Sequence, residues 1–89
     1  MSRSFDLKIV TPSEVFFEGK AVSVVAPGTL GYLGILKDHA PLVTMIKKGN
    51  LTYKDESDQF RSFKVEGGFF EVFQNRVLVL TDKISGAIA

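Results

Sequence analysis

The chain has no cysteine and no tryptophan, one histidine, and three prolines among its 89 residues. Lack of cysteine excludes disulfides and thiolate metal sites, and suits a reducing compartment. With His39 as the sole imidazole, a zinc site would have to be built largely from carboxylates. Charge of one sign is also missing. Lys and Arg total 11 against 10 Asp and Glu, a net charge of +1. A nucleic-acid binder carries a clustered basic face. Here Lys47-Lys48 is the only adjacent basic pair, and it most simply solvates a turn. No apolar run approaches the ~20 residues that a membrane helix needs. Met1-Ser2-Arg3-Ser4 lacks the apolar core of a signal peptide. A soluble chain is expected, with no nucleic-acid partner and no direct lipid insertion. Any membrane role would come through a partner.

What is present is apolar density. A chain this short buries only about 60–65% of its unfolded surface, so its core must be closely packed. Eight phenylalanines supply much of the volume. Phe5, Leu7 and Ile9 alternate with Asp6 and Lys8, which reads as a half-buried strand. Thr11-Pro12-Ser13 ends it. Val15 to Glu18 returns, and Gly19-Lys20 is expected to turn the chain again. Ala21 to Ala26, apolar apart from Ser23, reads as a strand buried on both faces. Leu42 to Ile46 and Leu51 to Lys54 read as a hairpin around Lys47-Lys48-Gly49-Asn50. Asp55-Glu56-Ser57-Asp58 lacks the ligand ladder of a calcium loop and reads as a solvated hairpin tip. Gln59 to Glu66 alternates. Gly67-Gly68 permits a close backbone crossing. Phe69 to Gln74 sets Phe69, Glu71 and Phe73 on one side, with Phe70 and Val72 on the other. Val77 to Leu80 is expected to be the last strand, and central, because it is apolar on both faces. Short strands with regular turn signals predict an all-β fold. The expected form is a flattened β-sandwich or barrel of roughly eight to ten short, mainly antiparallel strands.

The parts for catalysis are few. His39 lies on a turn between Asp38 and Pro41. Nothing in the local sequence makes Ser23, Ser57, Ser62 or Ser85 an activated nucleophile. No catalytic, metal or cofactor site is predicted.

The most distinctive stretch runs from Pro27 to Pro41. Glycines at 28, 31 and 34 can reach positive φ, so the backbone can turn sharply more than once. The plain structural reading makes it a connection with Tyr32 and Leu33 in the core. It is not a phosphate loop, since no Lys-Ser or Lys-Thr follows the last glycine. Gly28-x-x-Gly31-x-Leu33-Gly34-Ile35-x-x-x-His39-Ala40-Pro41-Leu42-x-Thr44 resembles the signature of the epsilon subunit family of rotary F-type ATP synthases. The resemblance is to the N-terminal β-sandwich domain. Leu7-x-Ile9-Val10-Thr11-Pro12, Gly67-Gly68-Phe69-x-Glu71-Val72 and Val77-x-Val79-Leu80-x-Asp82 fit the same family at its spacing.

That resemblance implies a non-catalytic rotor subunit of a proton-translocating synthase, coupling the gamma subunit to the ring of c subunits. The catalytic alpha and beta head would be reached only indirectly. By position, Leu30 and Tyr32 fall on the loop that faces the c-ring, and Thr11, His39 and Thr44 on the side associated with gamma. The family's loop is often acidic where this chain has Leu30 and Tyr32, so the contact is expected to be more apolar and less salt-sensitive. The implied location is peripheral, on the cytoplasmic face of the bacterial inner membrane. Residues 1–84 are expected to form the β-sandwich, with 85–89 a tail where the family's two-helix domain would begin. The inhibitory role and ATP site of that helical domain are not expected. The chain is either a natural short form or a shortened one, and its ordinary apolar end leans toward the first. The rival reading is a stand-alone β-sandwich module for a peptide or sugar, with Tyr32 and Tyr53 as stacking residues.

Overall fold

The computed structural model describes residues 3–88. Its first strand, β1 (Phe5–Val10), obeys the period-two pattern: Phe5, Leu7 and Ile9 are buried and Asp6 and Lys8 exposed. A turn closed by Thr11 and Glu14 leads into β2 (Val15–Ala21), antiparallel to β1. The turn expected at Gly19-Lys20 is absent. The strand runs through both residues, with Lys20 opposite Asp6 and ion-paired to it at 2.6 Å. The Phe17 ring lies over Gly19, where a Cβ would stand 3.0 Å from it. A cross-strand partner and a covered glycine keep the chain extended.

Strand β3 (Ser23–Gly28) buries Val24 and Ala26 but leaves Val25 exposed, so it is covered on one face rather than two. It turns at Thr29-Leu30 into β4 (Gly31–Ile35), with Gly28 opposite Gly31. Of the glycines at 28, 31 and 34, only Gly31 takes positive φ, at 131°. The segment therefore turns sharply once and is otherwise strand. Tyr32 is exposed and Leu33 half-buried, which corrects the core placement of both.

Next come β5 (Leu42–Ile46) and β6 (Gly49–Lys54), and they are not a hairpin. Both run antiparallel to β3, β5 at Gly28↔Ile46 and β6 at Ser23↔Lys54 to Val25↔Thr52. They therefore point the same way along β3. Lys47-Lys48 is a corner between them, fixed by the Lys47 N–H donating to the Pro27 carbonyl at 2.8 Å. Gly49 is needed there because a Cβ would meet Pro27 at 2.8 Å. The hairpin partner of β6 is instead β7 (Phe60–Val65). Asp55 holds that turn by accepting the N–H groups of Ser57 and Gln59 at 2.9 and 3.0 Å.

Strands β8 (Gly68–Phe73), β9 (Arg76–Thr81) and β10 (Ile84–Ile88) complete the chain. The last strand is thus β10, which pairs with β7, and not β9. The hydrogen-bonded order is β10-β7-β6-β3-β5-β8-β9-β1-β2, with β4 on the side of β3. Among the described residues only β1 with β9 is parallel. Contact between β3 and β5 narrows to one residue pair, so the path creases there. The two arms fold over a single core of alternate residues from β1 to β9. Across it, Phe16 meets Phe63 edge-on at 4.8 Å and Phe17 lies 4.6 Å from Tyr53. No buried side-chain polar atom among the described residues lacks a partner.

Candidate partner-binding surface

The arm made of β5, β8 and β9 buries one face and exposes another that is also apolar. Period two sends Ile46, Phe70 and Val79 inward, and therefore Met45, Phe69 and Leu80 outward. Register puts Met45 opposite Phe69 and Phe69 opposite Leu80, and β1 continues the row with Val10. Met45 is 56% exposed, Phe69 50% and Leu80 43%. Val43 is exposed in the next row, and Phe73 further along β8. Beside the first row runs a groove of about 450 Å³, lined by Val10, Pro12, Met45, Phe69 and Leu80, with Thr11 and Asp82 at its end. Contiguous exposed apolar side chains of this kind mark an interaction surface.

The residues singled out in the sequence distribute unevenly over this arm. Thr11 joins the groove, its hydroxyl within 3.3 Å of Ser13 Oγ. Thr44 is half-buried on the same side of the sheet as Phe70, its register partner, while Val43 and Met45 beside it point outward. His39 is exposed on the loop before β5, with Nδ1 2.7 Å from the Ala40 carbonyl oxygen. That loop is held to the β8–β9 turn by Asp38 and Asn75. Thr11 and His39 thus lie toward opposite ends of one sheet and beside different strands of it. Met45, Phe69, Leu80 and Asp82 were not singled out as site residues. For Leu80 a signal existed, since β9 is apolar on both faces and was expected to be central, yet Leu80 faces solvent.

Leu30 and Tyr32 form a second, separate surface. Leu30 is fully exposed at the β3–β4 turn, and Tyr32 is 59% exposed opposite Pro27. The Tyr32 hydroxyl reaches toward Gly49, and Lys47 and Lys48 are exposed at the adjoining corner.

Lys20 holds the Asp6 carboxyl below its usual range by hydrogen bond and charge, and Arg3 does the same for Asp58. Burial pushes the Tyr53 phenol up. A groove of about 540 Å³ on β1, β2 and β9 is lined by Lys8, Lys20 and Arg76 against Asp6, Glu18 and Glu71, charges that offset one another. Among the described residues no His, Cys, Asp and Glu group could hold a metal ion. Among the same residues no helix is long and apolar enough to cross a membrane.

These features define an all-β domain with an exposed apolar sheet face and an apolar tip. The chain belongs to the family described as ATP synthase, Delta/Epsilon chain, beta-sandwich domain, which residues 4–87 match. The ATP synthase epsilon chain of Chlorobium limicola is 46% identical over 85 residues, covering 93% of this chain and 94% of that one. The epsilon chain of Chlorobaculum tepidum is 44% identical over 85 residues with the same coverage. The match to that of Moorella thermoacetica is 40% over 79 residues and spans 59% of the relative. A chain of the Euglena gracilis mitochondrial ATP synthase superposes with a TM-score of 0.89 at 18% identity, over 96% of this chain and 54% of its own. At that identity the likeness is one of fold.

Proposed function

We propose that the chain is a non-catalytic rotor subunit of a proton-translocating ATP synthase, bridging the gamma subunit and the c-ring in the central stalk. In this reading the complex is peripheral to the cytoplasmic face of a bacterial inner membrane, and the catalytic alpha and beta head is engaged only through gamma. The observation that carries the proposal is the Met45–Phe69–Leu80 row, an exposed apolar face on a sheet whose other face packs on the core. Such a body suits a rotor because a dense interior passes strain on rather than absorbing it. Gamma would cover this face, with Thr11 at its edge, and His39 and Thr44 remain candidates for the same contact. Leu30 and Tyr32 would meet the c-ring.

The rival peptide- or sugar-binding module loses its stacking pair. Tyr53 is 5% exposed and sits between Phe17 and Phe63, so it is unavailable to a ligand. Two binding measurements test the rotor reading. Purified wild-type chain should capture recombinant gamma, and Tyr32→Ala should weaken its hold on isolated c-ring by roughly tenfold, with little salt dependence in the wild type. Failure to capture gamma would end the reading; unchanged c-ring affinity would remove Tyr32 from the contact.

A further inference from the structure

The groove along the apolar row contains a charge that the row does not explain. Asp82 follows β9, is exposed, and shares a lining that is otherwise apolar, hydroxylic or glycine. Each of the other aspartates is engaged: Asp6 by Lys20, Asp55 by Arg61, Asp58 by Arg3 and Lys54, and Asp38 by Asn75. Asp82 has no ion pair or hydrogen bond among the described residues, and its neighbour Lys83 is not paired with it. Its carboxylate lies over Gly67, with Oδ2 3.4 Å from where a Cβ there would stand. Gly68 lines the groove beside it. A side chain at 68 would collide with the Leu80 carbonyl, so only backbone fits at that point.

An occupant seated along the whole lining, from Met45 to Asp82, would also strip water from that exposed carboxylate. An apolar occupant would leave that charge dehydrated and unpaired, and an acidic one would repel it. A cation would offset the loss of water with a charge-assisted hydrogen bond. We propose that the groove is a two-part socket for a basic–apolar anchor on the gamma subunit. An apolar side chain seats between Met45, Phe69 and Leu80, and an adjacent arginine or lysine of gamma pairs with Asp82. The socket rests on the rotor reading above and adds the chemistry of the partner. Asp82 sets specificity, since it rejects partners that bring no cation.

The test is calorimetric titration of the full chain with recombinant gamma at low and high salt. Wild-type binding should weaken as salt rises. Asp82→Asn should bind roughly tenfold more weakly at low salt and lose most of that salt dependence. Asp82→Lys should bind more weakly still, and Phe69→Ala should weaken binding without changing the salt dependence. Glu56→Gln, on the β6–β7 turn, should match the wild type. Thermal melts of all four variants check the fold. Wild-type affinity and salt dependence in Asp82→Asn would overturn the socket while leaving the rotor reading intact. A folded wild-type chain that ignores gamma would overturn the rotor reading itself.

Discussion

Asp38 and Asn75 hold each other across 37 positions of sequence. The Asp38 N–H donates to Asn75 Oδ1 at 2.6 Å, and Asn75 Nδ2 donates to Asp38 Oδ1 at 2.9 Å. Both residues take positive φ, 65° and 60°. Asparagine and aspartate tolerate that region better than other non-glycine residues. The pair ties the His39 loop to the β8–β9 turn. Asn75→Ala loses the side-chain bonds and strains the backbone, and should cost about 1–2 kcal/mol. Asn75→Gly loses the bonds alone and should cost less. Thermal melts of both variants check the order; equal losses would mean that the backbone conformation contributes nothing.

Gly68 and Gly34 make a contrasting pair. Gly68 has φ 123°, and a Cβ would collide with the Leu80 carbonyl. Gly68→Ala should cost about 3 kcal/mol or more in chemical denaturation. Gly34 has open space around a Cβ and no positive φ. Gly34→Ala should stay within about 0.5 kcal/mol of the wild type. Similar losses at both sites would contradict the close approach of Gly68 to the Leu80 carbonyl.

Asp58 links the start of the chain to the β6–β7 turn. Arg3 donates to its carboxylate at 2.6 Å and Lys54 lies 3.8 Å away, so its pKa falls below the ordinary 3.8. A carboxyl depressed in the folded state contributes stability above its ordinary pKa, and that contribution is lost as pH falls through the folded value. Exposure and screening keep the effect small. Asp58→Asn should therefore melt lower than the wild type at neutral pH. The gap should close as pH drops below 3.8, and also narrow when salt is added at neutral pH. Melting curves across pH check it; a gap that persists in acid would contradict the assignment.

Much of the fold is legible in the alternation alone. Phe5-Leu7-Ile9 and Phe70-Val72 declare their buried faces because a half-covered strand must repeat every second residue. Connections are less legible. Lys47-Lys48-Gly49-Asn50 has the composition of a hairpin turn, yet it is a corner, because β3 aligns both flanking strands in one direction. Gly19-Lys20 looks like a turn until Asp6 appears opposite Lys20. The candidate surface was the least visible part. Leu80 on an exposed apolar face and Leu80 in a core follow the same pattern, and only the order of strands tells them apart. Asp82 gained meaning only when its lack of a cation could be seen.

Absence of cysteine makes the decisive experiment clean, because any introduced thiol is unique. Single variants Phe69→Cys, Leu80→Cys and, on the far turn, Glu56→Cys are labelled with a maleimide, with and without bound gamma. The account predicts that gamma slows labelling at positions 69 and 80 at least tenfold, as burial of a contact surface requires, and leaves position 56 unchanged. Equal labelling of Phe69→Cys in the free chain and in the complex would contradict it.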